Sequence, residues 1–342
     1  MDRQRPPAGG ARRLGVALLG AGRLGAGHAR LLAGLPSVRL ALIADPRPEV
    51  AVLGDRLGAR VVAEPERAIE DGEVEAVVIV TPTATHAPLI AAAARAGKAV
   101  LCEKPVALDV PGTEAALAAV RAAGVPLQIG FQRRYDPGYV EARRRIAGGE
   151  VGAVHLFRAV SHDPYPPAPA YIAACGGQFL DMAIHDIDLA RFLTGDEVVE
   201  VSALGSVLGP SGDSFRAAGD WDTTVLNLRF ASGALGSIVN SRQSGYGYDI
   251  HTEVLGDRGA IKVGYERQVP LTRYDASGAH HDYVPYFPER FATAYGAEIE
   301  AFVDAVLAGR PVTPTGEDGL AALKVAIAAT SSARAGGATT TV

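Results

Sequence analysis

The chain has 342 residues, of which 48% are hydrophobic and 21% are charged, and its net charge is −5. This length predicts two globular domains, and the acidic balance argues against nucleic acid or an anionic membrane surface as a partner. Its two cysteines fit neither a disulfide framework nor a zinc site. No stretch approaches the roughly 20 apolar residues of a membrane span. For these two reasons we expect a cytoplasmic protein.

A dinucleotide-binding unit is predicted near the start of the chain. After a tail that we expect to be disordered (residues 1–12), a buried strand at Leu14–Leu19 leads into a GxGxxG turn and a helix, and a second strand, Val38–Ala44, ends on Asp45. In this order the glycines let a pyrophosphate approach the backbone at the helix start. The first candidate cofactor contacts are Gly20, Gly22, Arg23, Leu24, Gly25 and Asp45. Asp45 would bond the ribose hydroxyls and repel a 2′-phosphate, which favours NAD over NADP, and Arg47 nearby leaves dual use open.

Strands and helices continue to alternate up to about residue 132. The predicted strands are Val74–Val80, Ala99–Cys102 and Leu127–Phe131, and the predicted helices are Pro88–Arg95 and Pro111–Ala123. Such alternation predicts a doubly wound parallel sheet, which binds ligands beyond the carboxyl ends of its strands. The segments Thr81–His86 and Glu103–Pro105 follow two of these strands. We expect Lys104 to face the cleft there, and its alternative is a surface lysine.

Strands dominate the rest of the chain. They are predicted at Ala153–Ser161, Glu200–Leu208, Thr223–Phe230, Ala234–Arg242, Tyr248–Leu255 and Gly259–Tyr265, with helices at Tyr139–Ala147, Ala292–Ala308 and Gly316–Ala333. We therefore predict an α/β N-terminal Rossmann domain (13–132) and an α+β domain with a large open, mostly antiparallel sheet (133–334), followed by a disordered tail (335–342). Because an open sheet exposes one face, we expect a homo-oligomer, with a tetramer favoured.

One apolar segment of the second half, residues 176–189, carries a carboxylate and an imidazole four residues apart. On a helix, Asp181 and His185 would project from one face about 5–6 Å apart. Imidazole is the side chain best suited to taking a proton at neutral pH, and a nearby carboxylate raises its basicity and orients hydroxyl groups. The alternative is an acidic surface helix with one histidine against the core.

Five motifs occur in a characteristic order: GAGRLG, TPTATH, CEKP, GFQRRYDPGY and GGQFLDMAIHDIDLARF. With them the chain resembles the glucose–fructose oxidoreductase/inositol dehydrogenase (Gfo/Idh/MocA) family from about Leu14 to Leu323. Four stretches most resemble the inositol dehydrogenases of that family: Ser161–Pro164, the GGQFLDMAIHDIDLARF helix, Tyr246–Asp249, and Arg290–Phe291 with Ala294–Tyr295.

The resemblance implies roles for residues of this sequence. Lys104, Asp181 and His185 would be the catalytic trio, with His185 as the proton acceptor. Arg133, Asp163, Tyr248 and Tyr295 would join Asp181 and His185 around the substrate, and Thr81, Pro82, Thr83, His86, Glu103 and Lys104 would border the cofactor. Arg133 has an equal alternative role in an ion pair at the domain junction. The tyrosines have the alternative role of packing residues, and His86 has that of fixing the conformation of its loop. No metal site is assigned.

The implied function is NAD-dependent oxidation of a secondary alcohol of a cyclitol, with myo-inositol going to 2-keto-myo-inositol. The alternatives are a dehydrogenase of another polyol or sugar, such as scyllo-inositol, an aminocyclitol precursor or glucose, and an inactive dinucleotide-sensing regulator. A regulator would have no physical reason to keep lysine, aspartate and histidine together at the cleft.

Overall fold

A computed structural model of the chain describes residues 12–264, 269 and 271–342. It contains a six-stranded sheet, a seven-stranded sheet and a two-stranded hairpin. The predicted tail over residues 1–11 and the predicted strand end at residue 265 lie outside the described residues. Within them no helix is long and apolar enough to cross a membrane.

The first sheet is parallel and has the strand order β3-β2-β1-β4-β5-β6. Its strands are β1 (Leu14–Leu19), β2 (Val38–Ala44), β3 (Arg60–Val62), β4 (Ala76–Ile79), β5 (Ala99–Glu103) and β6 (Leu127–Gly130). The connecting helices are α1 (Arg23–Gly34), α2 (Ala51–Leu57), α3 (Pro65–Glu70), α4 (His86–Arg95) and α5 (Val110–Ala123). The predicted Rossmann architecture is confirmed. The sequence prediction lacked β3, which is a three-residue edge strand too short for a periodic signal.

The second sheet has the order β12-β11-β7-β10-β9-β8-β15. Its strands are β7 (Val154–His162), β8 (Val198–Ser206), β9 (Thr223–Phe230), β10 (Leu235–Ser241), β11 (Asp249–Gly256), β12 (Ala260–Val263) and β15 (Thr340–Thr341). Pairing is antiparallel, as predicted for most of the sheet, except between β7 and β10, which run parallel. The separate hairpin consists of β13 (Arg273–Asp275) and β14 (Gly278–His280).

Helices of the second half of the chain flank this second sheet. They are α6 (Pro137–Ala147), α7 (Pro169–Ala174), α8 (Ile184–Thr194), α9 (Gly212–Ala218), α10 (Phe287–Arg290), α11 (Ala292–Ala308) and α12 (Gly316–Arg334). Of these, α6, α8 and α12 pack against strands of the sheet. Along β9 buried and solvent-facing residues alternate, which is the pattern of a sheet packed on one side. Helix α12 begins with a capping box between Thr315 and Asp318, and α8 ends at Gly195 in the left-handed conformation.

The two sheets do not divide the core cleanly at residue 133. Ile299, Phe302 and Val303 of α11 pack into the same apolar cluster as Leu14 and Val16 of β1. A helix from the second half of the chain therefore forms part of the Rossmann core.

The end of the chain is not the frayed tail that we predicted for residues 335–342. Thr340 and Thr341 pair antiparallel with Val201 and Glu200, so β15 forms one edge of the second sheet. The hydroxyl of Ser332 also donates to the carbonyl of Ala338. These backbone and side-chain bonds order a segment whose composition suggested a tail.

Candidate active site

The sequence-predicted site residues gather along the carboxyl edge of the first sheet. The glycine turn follows β1, the Thr81–His86 loop follows β4, Lys104 follows β5 and Arg133 follows β6. Because β1, β4, β5 and β6 are neighbours in that order, these segments lie side by side. Such an edge is where doubly wound sheets bind ligands.

The glycine turn has the shape that a pyrophosphate needs. Gly20 has a φ of +90°, and a Cβ there would lie 2.7 Å from the carbonyl oxygen of Val80. A Cβ on Gly25 would lie 2.0 Å from the carbonyl oxygen of Gly20, whereas one on Gly22 would meet nothing within 4 Å. No side chain caps α1 at Gly22, which leaves the first amides of α1 available to an anion. Arg23 and Leu24 form the first residues of this helix.

Asp45 lies at the end of β2, where an acid that holds the adenosine ribose belongs. Its Oδ2 accepts from the amide of Ala21 over 2.8 Å. Arg47 donates from Nε to Oδ1 and from Nη2 to Oδ2, each over 2.8 Å. The hydrogen bonds from Arg47 and Ala21 lower the pKa of Asp45 to about 2 despite its burial, so Asp45 is a carboxylate at neutral pH. These residues fit a dinucleotide.

His86 connects two of the loops that border this edge. Its Nδ1 lies 2.8 Å from the carbonyl oxygen of Pro105, and its Nε2 lies 2.7 Å from that of Thr81. The ring is only 2% exposed. The contacts therefore match the loop-fixing alternative. The remaining loop residues, Pro82 and Thr83, are exposed or half-buried.

Lys104 and Asp181 meet across the junction of the two sheets. Nζ of Lys104 donates to the backbone oxygen of Asp181 over 2.5 Å and to its Oδ1 over 2.9 Å. Both side chains are largely buried. An ammonium group has three donors, so one N–H of Lys104 remains for a ligand. Lys104 is thus not the surface lysine of the alternative reading.

The turn that carries Asp181 differs from the regular helix that we predicted. Residues Phe179–Ala183 form a π-helical turn, and α8 begins after it at Ile184. Single π turns of this kind occur often at functional sites. His185 therefore lies at the start of α8, while Asp181 lies in the wider turn before it.

Asp181 is held by three protein donors. Besides Lys104, the hydroxyl of Tyr171 donates to Oδ1 over 2.8 Å and Nη2 of Arg242 donates to Oδ2 over 2.6 Å. Burial alone would raise the pKa of Asp181, but Lys104 and Arg242 hold it below its usual range. Asp181 is consequently ionised, and Oδ2 keeps a lone pair for a further donor.

His185 is a neutral base in this setting. Burial, together with the positive charges of Lys104 and Arg133, holds the pKa of His185 well below its usual value. Its Nδ1 is buried and has no hydrogen-bond partner among the described residues, and its ring meets the ring of Phe131 edge-on. A neutral imidazole beside a lysine and a carboxylate can accept a proton from a bound hydroxyl.

Arg133 forms the buried ion pair that was its alternative role. Its Nη1 donates to Oδ1 of Asp186 over 2.5 Å, and Ser161 and Asn240 also donate to that carboxylate. The guanidinium lies over the ring of Phe291 and is almost fully buried. Its position orders the junction between β6, α8 and the second sheet.

Arg242, which sequence reasoning missed, completes the polar cluster together with Gln178. Arg242 donates from Nη1 to Oδ2 of Asp163 over 3.2 Å and from Nε to Oε1 of Gln178 over 2.8 Å. Asp163 follows β7 and Arg242 follows β10, and the parallel register opposes His162 to Ser241. Burial raises the pKa of Asp163, although Arg242 opposes this. No motif marks Arg242, so only the strand pairing could have found it.

The aromatic candidates divide between the cleft and the packing around it. Tyr248 is 7% exposed and meets the rings of Tyr286 and Phe291 edge-on, and it lies close enough to Arg133 and Asp163 to sense their charges. Tyr295 instead packs its ring against His28, at 5.5 Å between centroids. This contact agrees with the packing alternative for Tyr295, and its role at the substrate stays a prediction.

Glu103 contacts α1 and lies against β6. Its Oε1 lies 3.2 Å from Nε2 of His28 in α1, and its Oε2 is so close to Gly130 that a Cβ there would lie 2.9 Å from it. The carboxyl group is therefore turned toward the interior beside α1 and β6.

Known proteins are similar to this chain over nearly all of its described length. Residues 14–131 match the family described as "Oxidoreductase family, NAD-binding Rossmann fold", and residues 139–262 match the GFO/IDH/MocA C-terminal domain. Two curated relatives are inositol 2-dehydrogenase of Rhizobium meliloti, 42% identical over 91% of this chain and 94% of the relative, and scyllo-inositol 2-dehydrogenase (NAD(+)) of Bacillus subtilis, 39% identical over 94% of each. The structure of scyllo-inositol dehydrogenase from Lactobacillus casei with bound NAD(H) and scyllo-inositol superimposes with a TM-score of 0.89 at 30% identity, covering 96% of this chain and 99% of that one.

Proposed function

The chain belongs to the Gfo/Idh/MocA family of NAD-dependent oxidoreductases, and we propose that it oxidises a ring hydroxyl of an inositol, taking myo-inositol to 2-keto-myo-inositol. The observation that carries the proposal is the buried Lys104–Asp181–Arg242 cluster beside neutral His185 at the carboxyl edge of the Rossmann sheet. The names of the relatives support an inositol as the substrate.

The protein's part in the cofactor chemistry is to bind and orient NAD. The glycine turn and the amides at the start of α1 would hold the pyrophosphate, and Asp45 would hold the adenosine ribose. When bound, NAD supplies the nicotinamide carbon that accepts a hydride from the alcohol carbon.

The proton of the reacting hydroxyl goes to His185. We assign the transfer to Nε2, because Nδ1 is buried against the protein. Because the pKa of His185 in the protein is low, its imidazole is neutral at working pH and has a free lone pair for the proton. The positive charge that forms on the imidazole is then stabilised by the carboxylate of Asp181 nearby.

Lys104 and Asp181 position the substrate. The third N–H of Lys104 donates to the reacting oxygen and stabilises the negative charge that develops on it. Oδ2 of Asp181 accepts from the neighbouring ring hydroxyl, because Oδ1 already accepts from both Lys104 and Tyr171. Asp163 and Tyr248 offer further polar groups to the other hydroxyls of the ring.

Initial rates test this function directly. Purified protein with NAD is expected to form NADH from myo-inositol, and the panel should include scyllo-inositol, chiro-inositol and glucose. Higher kcat/KM for scyllo-inositol would favour the second candidate, which the similarity to the Bacillus subtilis relative supports. Turnover of none of these compounds would refute an inositol dehydrogenase.

We also propose that the chain forms a homotetramer in the cytoplasm. Several large apolar side chains are exposed on strands of the second sheet: Leu204, Val225, Leu235 and Leu255. Burying them against another copy would remove apolar surface from water. Both cysteines are free, which supports a reducing compartment. Light scattering of the purified protein measures the assembly, and a monomer would contradict it.

A further inference from the structure

A second cluster of titratable side chains is buried directly beside the catalytic one. His28 of α1, Glu103 of β5 and Glu298 of α11 place their ligand-type atoms within 4.8 Å of one another. Their exposed fractions are 2%, 9% and 0%. Glu103 immediately precedes Lys104, yet the mechanism proposed above uses none of these three side chains.

Three oxygens of the two carboxyl groups in this cluster have no hydrogen bond of good geometry. Both oxygens of Glu298 and Oε1 of Glu103 are buried and accept no hydrogen bond from the residues that the structure describes. An ionised carboxylate buried without a donor or a cation is very costly, so such a group becomes neutral or finds a partner. Two carboxyl groups this close together repel each other when both are ionised, so one of them is expected to carry a proton.

The tautomer of His28 points in the same direction. Its Nδ1 lies 3.2 Å from the carbonyl oxygen of Leu24, which can only accept, so Nδ1 carries a hydrogen. Nε2 lies 3.2 Å from Oε1 of Glu103. Glu103 thus has a polar neighbour on the side of His28, whereas the two oxygens of Glu298 have no such contact among the described residues.

We propose that Glu298 is a neutral carboxylic acid that donates its O–H to Glu103, and that through Glu103 it acts as a positioning residue for Lys104. The second half of this statement rests on the proposed function. Glu103 is confined on three sides: by His28, by Glu298 and by the backbone at Gly130. A side chain confined in this way fixes the backbone from which Lys104 extends toward Asp181.

Burial agrees with this assignment. Burial and the neighbouring charge of Glu103 raise the pKa of Glu298 well above its usual range. Two tyrosines lie near the cluster. Tyr295 packs its ring against His28, and Tyr135 donates to the carbonyl of Thr313. A divalent cation bound by all three residues is the other way to neutralise the cluster, and the test includes it.

Infrared difference spectroscopy tests the protonation of Glu298. At pH 7 the spectrum of the full-length parent minus that of Glu298→Gln should contain the C=O stretch of one protonated carboxyl group. Glu300→Gln is the matched control, because Glu300 is exposed on the same helix and its loss should leave the band unchanged. A parent-minus-variant spectrum without this band would overturn the proposal, as would one divalent metal ion per chain that this substitution releases.

The positioning role is tested by comparing Glu298→Gln with Glu298→Ala. Glutamine has the shape of the neutral acid and can donate to Glu103, so it should keep kcat within about twofold, whereas alanine should lower kcat about tenfold with little change in KM. Equal kcat in both variants, or a loss explained by unfolding in a melting experiment, would refute positioning.

A readout independent of turnover separates this inference from the proposed function. The positive charge of Lys104 lowers the pKa of His185, so displacement of Lys104 should raise that pKa in an NMR titration. We expect the rise in Glu298→Ala and not in Glu298→Gln. An unchanged titration in Glu298→Ala would refute positioning, even if the parent protein oxidised no cyclitol.

Discussion

Arg242 holds Asp181 in place from the end of β10, with Nη2 2.6 Å from Oδ2. The side chains of Arg242 and Asp181 are only 7% and 9% exposed. Together with Lys104, Arg242 keeps Asp181 ionised where burial alone would favour the neutral acid. The ionised form is the one that can accept a substrate hydroxyl bond and stabilise a protonated His185.

Replacing Arg242 by methionine should therefore affect both stability and catalysis. The change removes one partner of a buried ion pair, which costs about 3 kcal/mol of the free energy of unfolding. Because Asp181 then loses a donor at the substrate, kcat/KM should fall about 100-fold. Chemical denaturation and steady-state kinetics measure the two effects.

The matched control is Arg229→Met. Arg229 donates to Glu200 on the exposed side of the sheet, so its loss should change the free energy of unfolding by less than about 1 kcal/mol. Equal effects of the two substitutions would contradict a special role for Arg242.

Residues that belong to a local sequence pattern could be predicted, whereas residues that are brought together by strand pairing could not. The glycine turn, Lys104, Asp181 and His185 belong to local patterns in which type and spacing carry the chemistry. Arg242 reaches Asp163 because β7 and β10 are parallel, and the expectation of a mostly antiparallel sheet did not say which strands would pair in parallel. No local pattern encodes that register.

Two further features were beyond sequence reasoning for a related reason. Glu298 resembles any helical glutamate until α11 is known to pack on the Rossmann core, which brings it to His28 and Glu103. The π turn at Phe179–Ala183 is likewise set by tertiary contacts, because a regular α-helix is the default for such an apolar segment.

The low pKa of His185 predicts a characteristic pH dependence. The base acts when neutral, so kcat/KM should stay high above the folded-state pKa and fall only as the pH drops through that value, which lies well below 6.5. Lys104→Met should raise the pKa of His185 in an NMR titration, because it removes a positive charge. An acid limb at or above pH 6.5 in the parent would contradict the assignment.

The same histidine links stability to pH. Below about pH 6.5 the unfolded chain binds a proton that folded His185 does not, so the free energy of unfolding should decrease as the pH falls from there toward the lowered pKa. In His185→Gln this contribution is absent. Urea unfolding at pH 7 and pH 5.5 measures how much the free energy of unfolding changes with pH in each protein. An identical change in the parent and in His185→Gln would refute the linkage.

Asp45 should control the choice between NAD and NADP. Its carboxylate would lie near the ribose and repel a 2′-phosphate, while Arg47 already sits beside it. Asp45→Ser removes the repulsion and frees Arg47 to bind the phosphate, so the ratio of kcat/KM for NADP to that for NAD should rise at least about tenfold. Arg47→Ala in the same background should reverse most of the gain. No change in the ratio would show that Asp45 does not face the ribose.

Two glycines of α1 provide a matched pair for testing the cofactor turn. A Cβ on Gly25 would lie 2.0 Å from the carbonyl oxygen of Gly20, and backbone cannot move aside cheaply, so Gly25→Ala should distort the turn and abolish NAD binding in a fluorescence titration. A Cβ on Gly27 meets nothing within 4 Å, and alanine favours a helix over glycine by about 1 kcal/mol. Gly27→Ala should therefore bind NAD like the parent and unfold at a higher temperature. Because the two positions are two residues apart on one helix, a general effect on helix stability would move both variants in the same direction, whereas the geometry of the turn predicts opposite outcomes.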